Sequence, residues 1–171
     1  MKVLRRHRVS LAIGLLLMAL AGTAAAQAAT VVRPKLAVQT LAGRTFKLSA
    51  ERGKWVIVNF WATWCSPCIA EMPAISKFVA THKNVTAIGL AWDQSPRSDV
   101  LQFAHKHPIA YPLAQVATDH PPGGFPAPQG LPTTYLIAPD GRVAKHFIGP
   151  VNAKLLAQAM AEAGASAPTR K

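Results

Sequence analysis

The run W-V-I-V-N-F, Trp55–Phe60, constrains this chain more than any other stretch. It is apolar except at Asn59, rich in β-branched residues, and shows no polar/apolar alternation. Such a run reads as a strand covered on both faces, in the middle of a sheet. Shortly after it comes C-S-P-C, which holds the only two cysteines of the chain, Cys65 and Cys68. Apolar residues then recur at helical spacing: Ile69, Met72, Ile75, Phe78 and Val79. A helix is expected to start at or just before Cys65 and to end near His82, with Pro73 kinking it from within.

The remaining pattern alternates in the same way. Short strands are expected at Leu36–Leu41 and Thr45–Leu48, joined by a turn at Ala42-Gly43. V-T-A-I-G-L-A, Val85–Ala91, reads as a second buried strand. Ser95 and Pro96 read as the N-cap and first-turn residue of a helix over Arg97–His105. Tyr111–Val116 reads as a strand, and the Pro/Gly-rich segment 118–130 as a long loop. Thr133–Ala138 and Arg142–Ile148 form a hairpin about Pro139-Asp140-Gly141. An amphipathic helix over Val151–Ala163 closes the chain, with Gly164 just past its end. The fold class is α/β: a sandwich built on a central mixed sheet flanked by helices.

The first residues read differently. Lys2, Arg5, Arg6 and Arg8 precede the apolar run Val9–Gly22, and A-A-A-Q-A-A-T follows. A basic head, a short apolar core and an A-x-A site are the parts of a secretory signal peptide. Cleavage is expected at Ala26-Gln27-Ala28, and Ala24-Ala25-Ala26 would also serve. The apolar run is shorter than the ~20 residues of a spanning helix, so an uncleaved anchor is the lesser reading. No Cys lies near the site, which excludes a lipoprotein. The expected organisation is a signal peptide over 1–28, a lead-in over 29–43, one domain over 44–163 and a tail over 164–171.

The net charge is +12. Removing residues 1–28 takes away four basic residues and no acid, and leaves +8. No Lys/Arg run with interleaved aromatics appears, and an exported chain rarely meets nucleic acid, so no nucleic-acid partner is expected. The surplus reads as a solvated basic surface, open to acidic partners or a membrane face.

Export permits disulfides, but a pair two residues apart closes almost no chain and removes little unfolded-state entropy. A structural zinc site needs four ligands; there is no second Cys pair, and His105 and His107 point apart on a helix. Transient Cu(I) binding to the thiols stays open as a side activity. The reading left is redox chemistry. A cysteine at a helix N-terminus has its thiolate stabilised by unpaired N–H groups and the helix dipole, and only the thiolate attacks a disulfide. Cys68 lies one turn on, placed to resolve the mixed disulfide. Pro67 fits the first turn, where its missing N–H costs nothing. Trp61 and Trp64 can wall the site, and Trp61 equally suits the core.

V-N-F-W-A-T-W-C-S-P-C-I-A-E-M-P resembles the active-site segment of thioredoxin-fold thiol–disulfide oxidoreductases, in particular their exported TlpA/ResA-like branch. Pro73 matches that family's helix-kinking proline. G-L-P-T-T-Y-L-I, Gly130–Ile137, resembles its cis-proline segment, and D-G-R-V, Asp140–Val143, its following hairpin. The resemblance covers roughly residues 36–163. It implies a thioredoxin-like fold with a short N-terminal β-hairpin, Cys65 as attacking thiol, Cys68 as resolving thiol, and Pro132 as a cis-proline beside the sulfurs. Trp61, Trp64, Ser66, Pro67, Leu131 and Thr133 would line the site. Cytoplasmic thioredoxins carry a buried Asp where this chain has Asn59, which cannot accept a proton. ResA-like proteins carry instead a Glu three residues past the second cysteine, and Glu71 stands there. Buried, it would exchange protons with a thiol; otherwise it is a solvated helix-face acid. Family members have a short helix where this chain has the loop 118–130.

The implied activity is periplasmic reduction of selected protein disulfides, in c-type cytochrome maturation or copper-oxidase assembly. A membrane thiol–disulfide carrier would supply electrons. No cofactor beyond the Cys65–Cys68 disulfide is implied, and the chain is expected to act as a monomer. Two other classes stay in view. One is a peroxiredoxin-like thiol peroxidase, but its P-x-x-x-T/S-x-x-C pattern fails at Val58 and Ala62. The other is a Cu(I)-binding chaperone module, which only the C-x-x-C supports.

Overall fold

The computed structural model describes residues 31–165. The expected signal peptide 1–28 and the tail residues 166–171 lie outside the described residues. Strand β1, Ala37–Gln39, pairs antiparallel with β2, Thr45–Lys47, as a separate two-stranded sheet. A 3₁₀ turn, Leu48–Glu51, leads into β3, Trp55–Trp61. Then come α1, Ser66–Thr81; β4, Val85–Trp92; α2, Arg97–Lys106; and β5, Leu113–Val116. The hairpin of β6, Thr133–Ile137, and β7, Val143–Ile148, precedes α3, Ala153–Ala165.

The main sheet has the order β5-β4-β3-β6-β7. The β3–β4 and β4–β5 pairs are parallel; β3–β6 and β6–β7 are antiparallel. All seven residues of β3 are buried, as an unalternated apolar run at the sheet centre requires. Its odd-numbered residues face one core with Met72, Ile75 and Phe78 of α1, Val100 of α2, and Leu156 and Ala159 of α3. Its even-numbered residues face a second core with Leu36, Phe46 and Leu48 of the N-terminal segment. The helices thus cover one face, and the N-terminal hairpin and a loop cover the other.

That loop is 118–130. It holds one 3₁₀ turn, Pro122–Gly124. It is anchored by Phe125, which is buried and meets Phe60 at 5.8 Å and Tyr135 at 4.8 Å between ring centroids. Burying one such ring contributes about 1.5–3 kcal/mol, and aromatic pairing adds about 0.5–1.5 kcal/mol.

Several element ends differ from expectation, each for a local reason. Ser95 is not the N-cap of α2. Its N–H donates to the Asp93 carboxylate at 2.9 Å, an Asx turn, and Pro96 takes the cap position. Helix α3 starts at Ala153 rather than Val151, because the Val151 N–H donates to Glu71 and Asn152 caps the helix through Leu155 N–H. Gly164 lies inside α3; the alanine-rich last turn absorbs the ~1 kcal/mol that one glycine costs. Helices α1 and α2 end alike: His82 and His107 stack on Phe78 and Phe103, both at 4.0 Å. Their Nδ1–H groups donate to those residues' carbonyls at 2.8 and 3.0 Å.

Gly89 marks the tightest approach in the helix-side core. A Cβ there would overlap the Leu113 side chain and stand 3.1 Å from Trp61 Nε1 and 3.3 Å from Tyr111 Cε2. Gly89→Ala is therefore expected to lower stability by about 1–3 kcal/mol, the usual range for overpacking. Urea unfolding measures it, and unchanged stability would mean that Leu113 moves aside freely.

Candidate active site

The chain leaves β3 at Trp61 and enters α1 at Ser66. Between them a turn closes with Cys65 N–H donating to the Ala62 carbonyl at 3.1 Å. Cys65 is the N-cap of α1, and its Sγ accepts a hydrogen bond from Cys68 N–H at 3.3 Å. One orphan donor of the helix start thus points at the sulfur. Cys65 and Cys68 form a disulfide with a Cα–Cα distance of 5.3 Å, so the structure is that of the oxidised protein. Cys68 is fully buried and Cys65 nearly so. Ser66 and Pro67 are exposed beside them.

Trp64 and Trp61 part company. Trp64 is 68% exposed, whereas Trp61 is fully buried and packs on Phe103 at 5.0 Å. Trp61 therefore supports the site from beneath and does not line its surface. The Leu131-Pro132 bond is cis. Thr133 pairs with Phe60, which puts Pro132 at the same end of the sheet as the cysteines. Pro132 has no N–H, and its carbonyl accepts from Gly149 N–H at 2.8 Å. Thr133 is buried, with its hydroxyl donating to the Gly130 carbonyl at 2.7 Å. Leu131 and Trp64 face a common groove of about 410 Å³, with Trp92, Thr118 and Pro128 among its walls. Loop 118–130 thus supplies part of that groove.

Glu71 is 4% exposed. One carboxylate oxygen accepts from Asn59 Nδ2 at 2.7 Å and the other from Val151 N–H at 2.7 Å. Asn59 Nδ2 also donates to Thr134 Oγ1 at 2.9 Å. Burial pushes the Glu71 carboxyl up to about 7, against the opposing pull of the hydrogen bonds from Val151 and Asn59. Asn59, in the place of an acid, thus serves as a donor that orients the acid on α1.

Among the described residues, Asn59 Oδ1, Trp61 Nε1 and Tyr111 Oη are buried without a hydrogen-bond partner. All three belong to residues on the helix-facing side of the sheet. Each such atom costs about 1–3 kcal/mol, so this unfavourable burial falls on the side of the sheet that also holds the redox pair. Burial, and then the Glu71 charge, hold the Tyr111 phenol well above its ordinary value. Sequence reasoning missed Tyr111, Thr134 and Asp93 as members of this region. Only the register of β3 with β4 and β6 brings Thr134 and Asp93 to it, and register is not written in any local motif. Among the described residues, no group of three or more His, Cys, Asp or Glu is placed to hold a metal ion.

Residues 30–146 match the AhpC/TSA family. The thiol–disulfide oxidoreductase ResA of Bacillus thuringiensis is 34% identical over 121 residues, covering 68% of this chain and 67% of that protein. Among solved structures, a thiol:disulfide interchange protein of the thioredoxin family from Chlorobium tepidum superposes with a TM-score of 0.64 at 26% identity. It covers 78% of this chain and 95% of that one. A secreted thiol-disulfide isomerase from Corynebacterium glutamicum superposes with a TM-score of 0.62 at 25% identity, covering 77% and 84%. With a disulfide capping the helix that follows a buried central strand, and a cis-proline at the same sheet end, the chain belongs to the AhpC/TSA family and is one of its thioredoxin-fold thiol–disulfide oxidoreductases.

Proposed function

We propose that this protein works in the periplasm as a reductase of selected protein disulfides, in c-type cytochrome maturation or copper-oxidase assembly. The observation that carries this reading is the buried Glu71 carboxyl, three residues past Cys68 on the same helix. A carboxyl raised to about 7 takes up or releases a proton near neutral pH, as exchange between thiols requires. As an anion it also disfavours thiolate at the pair, which keeps the reduced form from being over-stabilised.

In the proposed cycle the Cys65 thiolate attacks one sulfur of a substrate disulfide. That S–S bond breaks and the departing sulfur takes up a proton. Cys68 gives its proton to the Glu71 carboxylate and attacks Cys65 Sγ. The mixed disulfide breaks, the departing substrate sulfur takes the proton from Glu71, and the substrate leaves with two thiols while the chain carries the Cys65–Cys68 disulfide. Two electrons have passed to the substrate. A membrane thiol–disulfide carrier returns two electrons and two protons to the pair. The signal peptide over 1–28 delivers the chain to that compartment, where it acts as a monomer without a further cofactor.

The test of direction is equilibration of Cys65–Cys68 with glutathione. A reductase is expected to be more reducing than about −180 mV, the value of protein disulfide isomerase. A value near about −120 mV, that of a strong oxidant, would overturn the proposal. Cys68→Ala is expected to accumulate a mixed disulfide through Cys65 with a protein substrate, seen on non-reducing gels; a pure copper chaperone would accumulate none.

Glu71 generates a pH prediction with a definite sign. Its carboxyl titrates near 7 when folded and near 4.5 when unfolded. Between those values the folded chain holds a proton that the unfolded chain has released, so stability falls as pH rises from 4.5 to 7. Urea titrations across that window should show the fall in the wild type and its absence in Glu71→Gln. Parallel slopes for the two proteins would assign the fall to other groups.

A further inference from the structure

Asp93 is buried, 3% exposed, just past the end of β4. No part of the mechanism above uses it. One oxygen of its carboxylate accepts from Thr63 N–H at 2.7 Å and from the Thr63 hydroxyl at 2.6 Å. The other accepts from Ser95 N–H at 2.9 Å. Thr63 is the second residue of the turn Ala62–Cys65, closed by Cys65 N–H on the Ala62 carbonyl. Trp61 and Ala91 are register partners in β3 and β4, so Thr63 and Asp93 each stand two residues beyond paired positions. The carboxylate therefore ties the turn that presents Trp64 and Cys65 to the neighbouring strand.

We propose that Asp93 is a positioning residue of the redox site: it holds the Ala62–Cys65 turn through Thr63, and its fixed negative charge disfavours a second negative charge at Cys65.

Two physical arguments support the assignment. The first is geometric. A turn of four residues has little to fix it except its closing hydrogen bond. A carboxylate taking both donors of one turn residue through charge-assisted bonds removes that freedom. The second is electrostatic. Burial alone would raise the Asp93 carboxyl, but the hydrogen bonds from Thr63 and Ser95 outweigh it and hold the group below its ordinary value, so it is charged at neutral pH. A buried anion beside a thiol disfavours the thiolate.

The other ionisable groups are accounted for. Glu71 on α1 and Tyr111 before β5 share the helix-side core with the cysteines. On its outer side Asp93 shares a shallow depression with Arg97 of α2 and with Asp119. Arg97 is exposed and forms no ion pair with Asp93, whose charge is met by the donors of Thr63 and Ser95.

The proposal rests on the thiol-exchange reading, and its test separates the two. The reduced protein is alkylated with iodoacetamide across pH, in the wild type, Asp93→Asn and Thr63→Val, each also in the Glu71→Gln background. Asp93→Asn keeps an acceptor and removes the charge. Its alkylation midpoint is expected to move to lower pH, with thiolate at fixed pH raised about three-fold or more. Thr63→Val keeps the charge and loses one anchor. It is expected to leave the midpoint in place and slow reduction of glutathione disulfide about ten-fold, as misplacement of a reacting group does. The Asp93→Asn shift should persist in the Glu71→Gln background. A midpoint unmoved in Asp93→Asn, with only thermal stability lowered, would overturn the electrostatic role. A rate unmoved in Thr63→Val would overturn the positioning role. Failure of the wild type to exchange with glutathione disulfide would sink the function and leave the alkylation profiles to decide on Asp93.

Discussion

The structure is organised around one junction, where a fully buried strand becomes a helix within a few residues. A helix start leaves four N–H groups without partners, and here a cysteine sulfur takes one of them. The arrangement favours charge on that sulfur only while the sulfur stays at the helix end. Holding it there is the task of the surroundings. Burial of β3 on both faces fixes Trp61, the last residue before the turn. Glu71 ties α1 to β3 through Asn59 and to the segment before α3 through Val151. Asp93 ties the turn itself to the end of β4. One buried carboxylate, Asp93, therefore holds the turn directly, and another, Glu71, ties the helix that follows it to the strand that precedes it.

Much of this was legible from composition and period alone. The unbroken run of β3 announced a central strand, and the helical spacing after Cys68 gave α1 to within a residue. Phe60 to Cys68 and Gly130 to Ile137 are far apart in sequence, yet the resemblance of both to one family placed them at one site. The antiparallel pairing of Phe60 with Thr133 joins them. Two of the misplaced helix ends share one cause: at Ser95 and Val151 tertiary partners overrode the local signals, whereas Gly164 lies inside α3 rather than past its end. Asp93 took the Ser95 N–H and Glu71 took the Val151 N–H. Capping rules describe an isolated helix, whereas a buried carboxylate competes for the same donors.

The Pro/Gly-rich loop gives the same lesson in a different form. Its composition predicted the absence of regular structure, and apart from one 3₁₀ turn it has none. Composition could not show that Phe125 inserts into an aromatic cluster with Phe60 and Tyr135. The loop is irregular in backbone and fixed at one point in packing. Because Phe60 is also the residue opposite Thr133, that fixed point lies directly behind the cis-proline segment. Pro128 and Gly130 consequently reach the groove beside Trp64 from an anchored base. The loop thus forms a wall of the groove on top of an intact sheet.

The redox character of such a site depends on a competition at the first sulfur. A helix N-terminus stabilises an anion by about 0.3–1 kcal/mol at an exposed site and up to about 2 kcal/mol when partly buried. A negative charge nearby opposes it. Two buried carboxylates, Glu71 on α1 and Asp93 just past β4, act in the opposite sense. They differ in kind. Asp93, saturated with donors from Thr63 and Ser95, keeps its charge at neutral pH, whereas Glu71, raised by burial to about 7, gains and loses it there. Strong oxidants owe their potential to a stabilised reduced form. Under the proposed function, Glu71 and Asp93 work against that stabilisation, and the glutathione equilibrium measures by how much.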